Sequence, residues 1–154
     1  KKNLYDYLPQ DNDEMLSCCE KMVVAQDWEC FSVATLWIKR RKTFHEMKYL
    51  PFFEDWLYRY VHSWGTCDAL CNRVLNHIVE NNKSAFTSVQ KWGESVKPFV
   101  RRASAVSLIR EESYYIVYYD IEKVLLIAEK LMGDKNIFVQ KGLVGYLRPL
   151  PKSI

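Results

Sequence analysis

Nowhere in these 154 residues does an apolar run approach the roughly 20 residues that a membrane span needs. The charged start, Lys1-Lys2, is not followed by the apolar core of a secretory signal. Both absences point to a cytoplasmic protein with no membrane partner. Glycine and proline are scarce, five of each, which excludes collagen-like and low-complexity chains. Neither sign of charge dominates: 22 basic residues against 19 acidic ones leave a net charge of +3. The balance by itself therefore calls for no nucleic acid, and the distribution of cations matters more than their sum. The five cysteines include no C-x-x-C pair, and His45, His62 and His77 lack the spacing that would join them to a zinc site. Neither metal nor organic cofactor is expected. Adjacent Cys18-Cys19 and the i,i+4 pair Cys67 and Cys71 read as small buried hydrophobes in a reducing compartment. No methionine stands at position 1, so a fragment is expected.

What is present is apolar and aromatic: 49% hydrophobic and 14% aromatic residues, enough for one globular domain over 1–154 with a substantial core. Helical signals run almost throughout. Asp11 or Asp13 caps a helix reaching about Gln26, and Asp27 caps the next, Trp28 to about Lys42, where Lys39-Arg40-Arg41-Lys42 suits the negative C-terminal end. Pro51 opens a helix to His62. Further helices are expected over about Cys67–Asn81, Ser84–Ser95, Lys97–Arg110, Asp120–Met132 and Asn136–Leu147. The run Tyr114–Tyr119 has strand-like residues but no evident partner, and a lone strand makes no sheet. A bulky linker or a helix start is expected there.

A layout recurs within these helices. Phe31-Ser-Val-Ala34, Val100-Arg-Arg-Ala103 and Val139-Gln-Lys-Gly142 each place a small residue three positions after an apolar one, and Ala69 holds a similar place after Asp68. The small residues at 34, 69, 103 and 142 are 35, 34 and 39 residues apart. That is the period of an all-α, HEAT-like helical repeat solenoid, in which small residues let paired helices approach closely. The concave face of such a slab would carry Trp64, Asp68, Arg101 or Arg102, and Lys141. Trp64 and Asp68 stand four residues apart at the mouth of a helix, hence on one face. An indole beside a carboxylate can stabilise a cation in a partly shielded site. Equally, Trp64 can be a packing residue and Asp68 a favourable charge at a helix N-terminus.

The chain resembles the AlkD-type DNA alkylation repair glycosylases over about Glu14–Lys152. The resemblance rests on F-F-E-D-W-L (Phe52–Leu57), W-G-T-C-D (Trp64–Asp68), F-V-R-R-A (Phe99–Ala103), and D-K-N-I-F-V-Q-K-G (Asp134–Gly142) followed by Leu147-Arg148. It implies that Trp64 and Asp68 contact the deoxyribose of the damaged nucleotide and that Arg102 contacts DNA. A second sugar-contacting Trp of the family falls on Gly145, which is followed by Tyr146. The implied substrate is double-stranded DNA carrying purines alkylated at N3 or N7, handled by a monomer. Such a purine is cationic and already a good leaving group. Catalysis then consists of stabilising the developing sugar cation, with Asp68 as counter-charge and water-orienting group and Trp64 as wall, without base flipping.

The cations divide further. Arg101 and Arg102 are consecutive and point in different directions from a largely apolar helix, so one must leave the core, and Arg102 is the candidate to face phosphate. After Asp134 there is no acidic residue, while Lys135, Lys141, Arg148 and Lys152 follow, giving a locally cationic end able to grip a DNA backbone. Three functions stay open on the sequence: an alkylpurine DNA glycosylase, a non-catalytic nucleic-acid-binding solenoid, and a protein-interaction scaffold.

Overall fold

A computed structural model describes residues 4–112, 115–118 and 120–147. Among the described residues the regular structure is helical apart from one short hairpin, in agreement with the expected all-α class. Helices α1 (Asn12–Val24) and α2 (Trp28–Arg40) start where capping predicts. The Asp11 carboxylate accepts from the backbone N–H groups of Asp13 and Glu14, and Asp27 accepts from that of Cys30. Helix α3 (Leu50–Tyr60) carries Pro51 in its first turn, where a missing N–H costs nothing. Helix α4 (Trp64–Leu70) begins three residues earlier than the expected Cys67. Ser63 and Thr66 form a reciprocal capping box that fixes its start. A π turn, Cys71–Leu75, carries α4 into α5 (Asn76–Asn81). Then follow α6 (Phe86–Trp92), α7 (Pro98–Val106), α8 (Ile121–Leu131, capped by Asp120) and α9 (Ile137–Leu147).

One expectation is corrected. The helix expected to reach Arg110 stops at Val106, and β1 (Ile109–Glu112) pairs antiparallel with β2 (Tyr115–Tyr118), in the register Arg110 opposite Val117 and Glu111 opposite Ile116. Tyr115–Tyr118 of the Tyr114–Tyr119 run therefore form a paired strand, neither a linker nor a helix start, while Tyr114 and Tyr119 lie outside the described residues. Ile-Arg-Glu-Glu lacks the alternation by which a strand is read from sequence. The Asn76 side chain donates to the carbonyl of Ile109 and ties the start of β1 to α5.

Helices α2, α4, α7 and α9 contact one another in that order, with α7 packing most extensively against α9. Helix α1 lies on α2, α6 on α7, and α8 against both α7 and α9. The four small residues of the repeating layout, Ala34, Ala69, Ala103 and Gly142, are all buried. So are the apolar residues three positions before three of them, Phe31, Val100 and Val139. The core also holds an edge-to-face aromatic group of Phe44, Phe53 and Trp56. Buried Trp92 donates its indole N–H to Glu54 at 2.6 Å.

The cysteines behave as small hydrophobes. All five are free thiols, and Cys19, Cys67 and Cys71 are buried. Burial pushes the Cys19 thiol up to about 12 and raises Cys71 as well, so neither forms a reactive thiolate near neutral pH. The Cys67 thiol donates to the carbonyl of Phe99 and joins α4 to α7.

Candidate functional site

The face shared by Trp64 and Asp68 opens into a groove between the first turns of α2 and α4, about 690 Å³ in volume. Trp64 occupies the first position of α4 and is 57% exposed, an indole that contributes little to the core. Asp68, one turn on, lines the same groove. Across from Trp64 stands Trp28, at the first position of α2 and 48% exposed. A Cβ built on Gly65 would meet the Trp28 ring at 3.5 Å, so the bare glycine is the floor on which that indole rests. Sequence reasoning passed over Trp28 as a helix start. Its signal was a large aromatic directly after a capping aspartate, a position that seldom faces a core.

Asp68 is not a free carboxylate. Arg102 donates to both its oxygens, Nε to Oδ1 at 2.8 Å and Nη2 to Oδ2 at 2.8 Å, while Nη1 donates to the carbonyl of Phe138 at 2.5 Å. This fork ties α4, α7 and the first turn of α9 together through one guanidinium. The pair is lopsided: the arginine side chain is 10% exposed and the aspartate 26%, so the carboxylate is the member nearer solvent. Each ionised oxygen has two acceptor sites, and the fork uses one on each. Burial lowers the Arg102 pKa most strongly among its influences, but hydrogen bonding to Asp68 and its charge outweigh that and leave it raised. Gly142 makes the geometry possible. A Cβ there would stand 3.0 Å from Arg102 Nη1 and 3.1 Å from its Cγ, tighter than ordinary contact.

The arginine expected to leave the core for phosphate is thus turned inward. Arg101 is likewise engaged. Its Nε and Nη2 donate to the two oxygens of Asp134, and Nη1 donates to the carbonyls of Ser95 and Val96. Hydrogen bonds from Arg101 pull the Asp134 pKa down against the opposing effect of burial. Two consecutive arginines on α7 both escape solvent because acidic partners one helix away on either side, Asp68 on α4 and Asp134 before α9, receive them.

Lys141 is exposed and borders a small cavity of about 230 Å³ that it shares with Asp68, Arg102, Gly142 and Gly145. A Cβ on Gly145 would meet nothing within 4 Å. The position where the family resemblance implies a second indole is therefore open space bordering the same cavity as Asp68. Arg148 and Lys152 lie outside the described residues.

Among the described residues no helix is long and apolar enough to cross a membrane. Comparisons with curated proteins and with solved structures each found no match. A family model described as DNA alkylation repair enzyme matches residues 2–153. That span takes in the Trp64–Asp68 turn, the α7 arginines and the glycines of α9 together, and the chain belongs to the DNA alkylation repair enzyme family.

Proposed function

We propose that this protein is a monomeric DNA glycosylase that hydrolyses the N-glycosidic bond of N3- or N7-alkylated purines in double-stranded DNA without flipping the base. The supporting scaffold is a single HEAT-like repeat domain over 1–154, with α2, α4, α7 and α9 as the helices that line the concave face. Membership of a DNA alkylation repair family supports that substrate class. The observation that carries the reading is the groove in which a half-exposed Trp64 and a forked, solvent-facing Asp68 share one helical face.

The chemistry follows from charge. A purine alkylated at N3 or N7 leaves as a neutral base, so the positive charge passes to the sugar as the glycosidic bond lengthens. Asp68 lies where its carboxylate opposes that charge, and its unused lone pairs accept from the attacking water. Trp64 presents a cation-tolerant face. Arg102 is a positioning residue: it holds the carboxylate in one orientation and does not itself contact the DNA. Lys141 and Arg148 are then the backbone contacts of the C-terminal part, and Arg101 acts through Asp134 to fix the approach to α9. No metal or organic cofactor enters the scheme.

One observation favours a second reading, a nucleic-acid-binding solenoid that no longer excises: Gly145 leaves the second indole position empty. The discriminating experiment is release of 7-methylguanine and 3-methyladenine from methylated duplex DNA. Release above the spontaneous rate supports the glycosylase. Binding of duplex with release at the spontaneous rate supports the second reading.

A further inference from the structure

Arg73 is the one cation that lines the Trp64–Asp68 groove and has no acidic partner among the described residues. Its Nη1 donates to the carbonyl of Ser32 at 3.0 Å, to Ser32 Oγ at 2.9 Å and to Thr35 Oγ1 at 3.1 Å, all neutral acceptors on α2. Thr35 in turn donates to the carbonyls of Phe31 and Ser32, so its oxygen is oriented toward the guanidinium. Half-buried charge without a counter-ion is costly, and here burial alone pulls the Arg73 pKa down. Arg101 and Arg102, by contrast, are neutralised by Asp134 and Asp68.

Arg73 lies inside the π turn that follows Asp68. In a regular α-helix five residues would carry it about 140° round from Asp68. The π turn rotates the chain less per residue and so narrows that offset, and both side chains reach the same groove.

We infer that Arg73 is a phosphate-binding residue of the groove, anchored by Ser32 and Thr35 and taking a backbone phosphodiester beside the nucleotide whose sugar lies on Trp64 and Asp68. This rests on the reading that the groove faces DNA. The anchoring leaves Nε and Nη2 as donors, and a phosphodiester supplies both the missing negative charge and acceptor oxygens for a forked contact.

The test is binding of an undamaged short duplex between about 50 and 200 mM salt, for wild type, Arg73→Gln and Arg73→Lys, with unchanged near-UV circular dichroism as the check on folding. Arg73→Gln keeps a polar, uncharged side chain and removes the charge. It is expected to weaken binding about tenfold at the lower salt and to reduce the slope of log K against log salt by about one. Arg73→Lys keeps the charge and is expected to keep the slope. A folded Arg73→Gln with the wild-type slope, or an Arg73→Lys that loses the slope as Gln does, overturns the assignment. So does a defect confined to a deoxynucleoside monophosphate with duplex binding intact, which marks a free-phosphate site. Wild type that binds no duplex at low salt removes the DNA reading itself, a result distinct from failure of Arg73 alone.

Discussion

Two glycines on one helix give the sharpest check on the Asp68–Arg102 fork. Alanine at 142 would put its Cβ 3.0 Å from Arg102 Nη1, 3.1 Å from Cγ and 3.4 Å from Cζ. Comfortable carbon contacts begin at about 3.5–4.0 Å, so roughly 0.5 Å has to be found. Arg102 cannot readily give it, because both its fork to Asp68 and its bond to Phe138 fix the guanidinium. Replacing a helical glycine by alanine is worth up to about 1 kcal/mol in helix propensity. Against that stand about 1–3 kcal/mol for overpacking and about 1.5–3 kcal/mol if one charge-assisted hydrogen bond is lost. Gly142→Ala should therefore destabilise by about 1–3 kcal/mol. Gly145→Ala meets nothing within 4 Å and should stabilise by up to about 1 kcal/mol. At about 2–4 °C per kcal/mol for a chain of this size, Tm falls by about 3–10 °C in the first and rises by a few degrees in the second. Thermal unfolding followed by far-UV circular dichroism reads both. If Gly142→Ala raises Tm as Gly145→Ala does, the close approach of Arg102 to α9 is refuted.

Further outcomes follow from the same packing. Ala103→Leu, at a fully buried position of α7, should lower stability by about 1–3 kcal/mol, and an unchanged Tm would remove Ala103 from the helix contact. The Asp134 carboxyl is held low in the folded state, so its stabilising effect is complete above the unfolded value near about 3.9 and is lost as pH falls through the folded one. The Tm gap between wild type and Asp134→Asn should accordingly be constant from about pH 7 to about 5 and close below about 4. A gap unchanged down to about pH 2 would contradict it. Trp28→Ala and Trp64→Ala remove half-exposed rings and should cost little Tm. Each should lower excision of alkylpurine, and full activity in Trp28→Ala would leave Trp64 as the groove's working indole. A Cβ at Gly145 meets nothing within 4 Å and the position borders the cavity that Asp68 lines, so Gly145→Trp should raise excision if the missing indole limits the rate.

Local chemistry made most of the helices legible. Asp11, Asp27 and Asp120 cap where their side chains reach the next free N–H groups, and Pro51 sits where its missing donor is harmless. The short pieces were not legible. The hairpin hid because β1 reads Ile-Arg-Glu-Glu, so the pairing rests on β2 and on Asn76 reaching Ile109 from another helix. The site was half visible. Trp64 and Asp68 share a face by spacing alone, but which arginine is solvent-facing depends on partners far along the chain. Arg102 lies 34 residues from Asp68 and Arg101 lies 33 from Asp134, close to the interval between the small residues. Residues one such interval apart stand on neighbouring helices, so an opposite charge at that offset signals a pairing between those helices. Arg73 gave no such signal because its acceptors are neutral groups of Ser32 and Thr35.

The central claim is that the Asp68 carboxylate opposes charge developing on a deoxyribose. Asp68→Asn keeps the side-chain shape but takes the counter-charge from Arg102, so the comparison has to be made below the melting transition of both proteins. The direct measurement is the single-turnover release of 7-methylguanine from methylated duplex by wild type and Asp68→Asn under those conditions. A fall of about 10²-fold or more with duplex binding retained is expected, the scale of losing a positioned electrostatic stabiliser. Equal rates in the two folded proteins would contradict it.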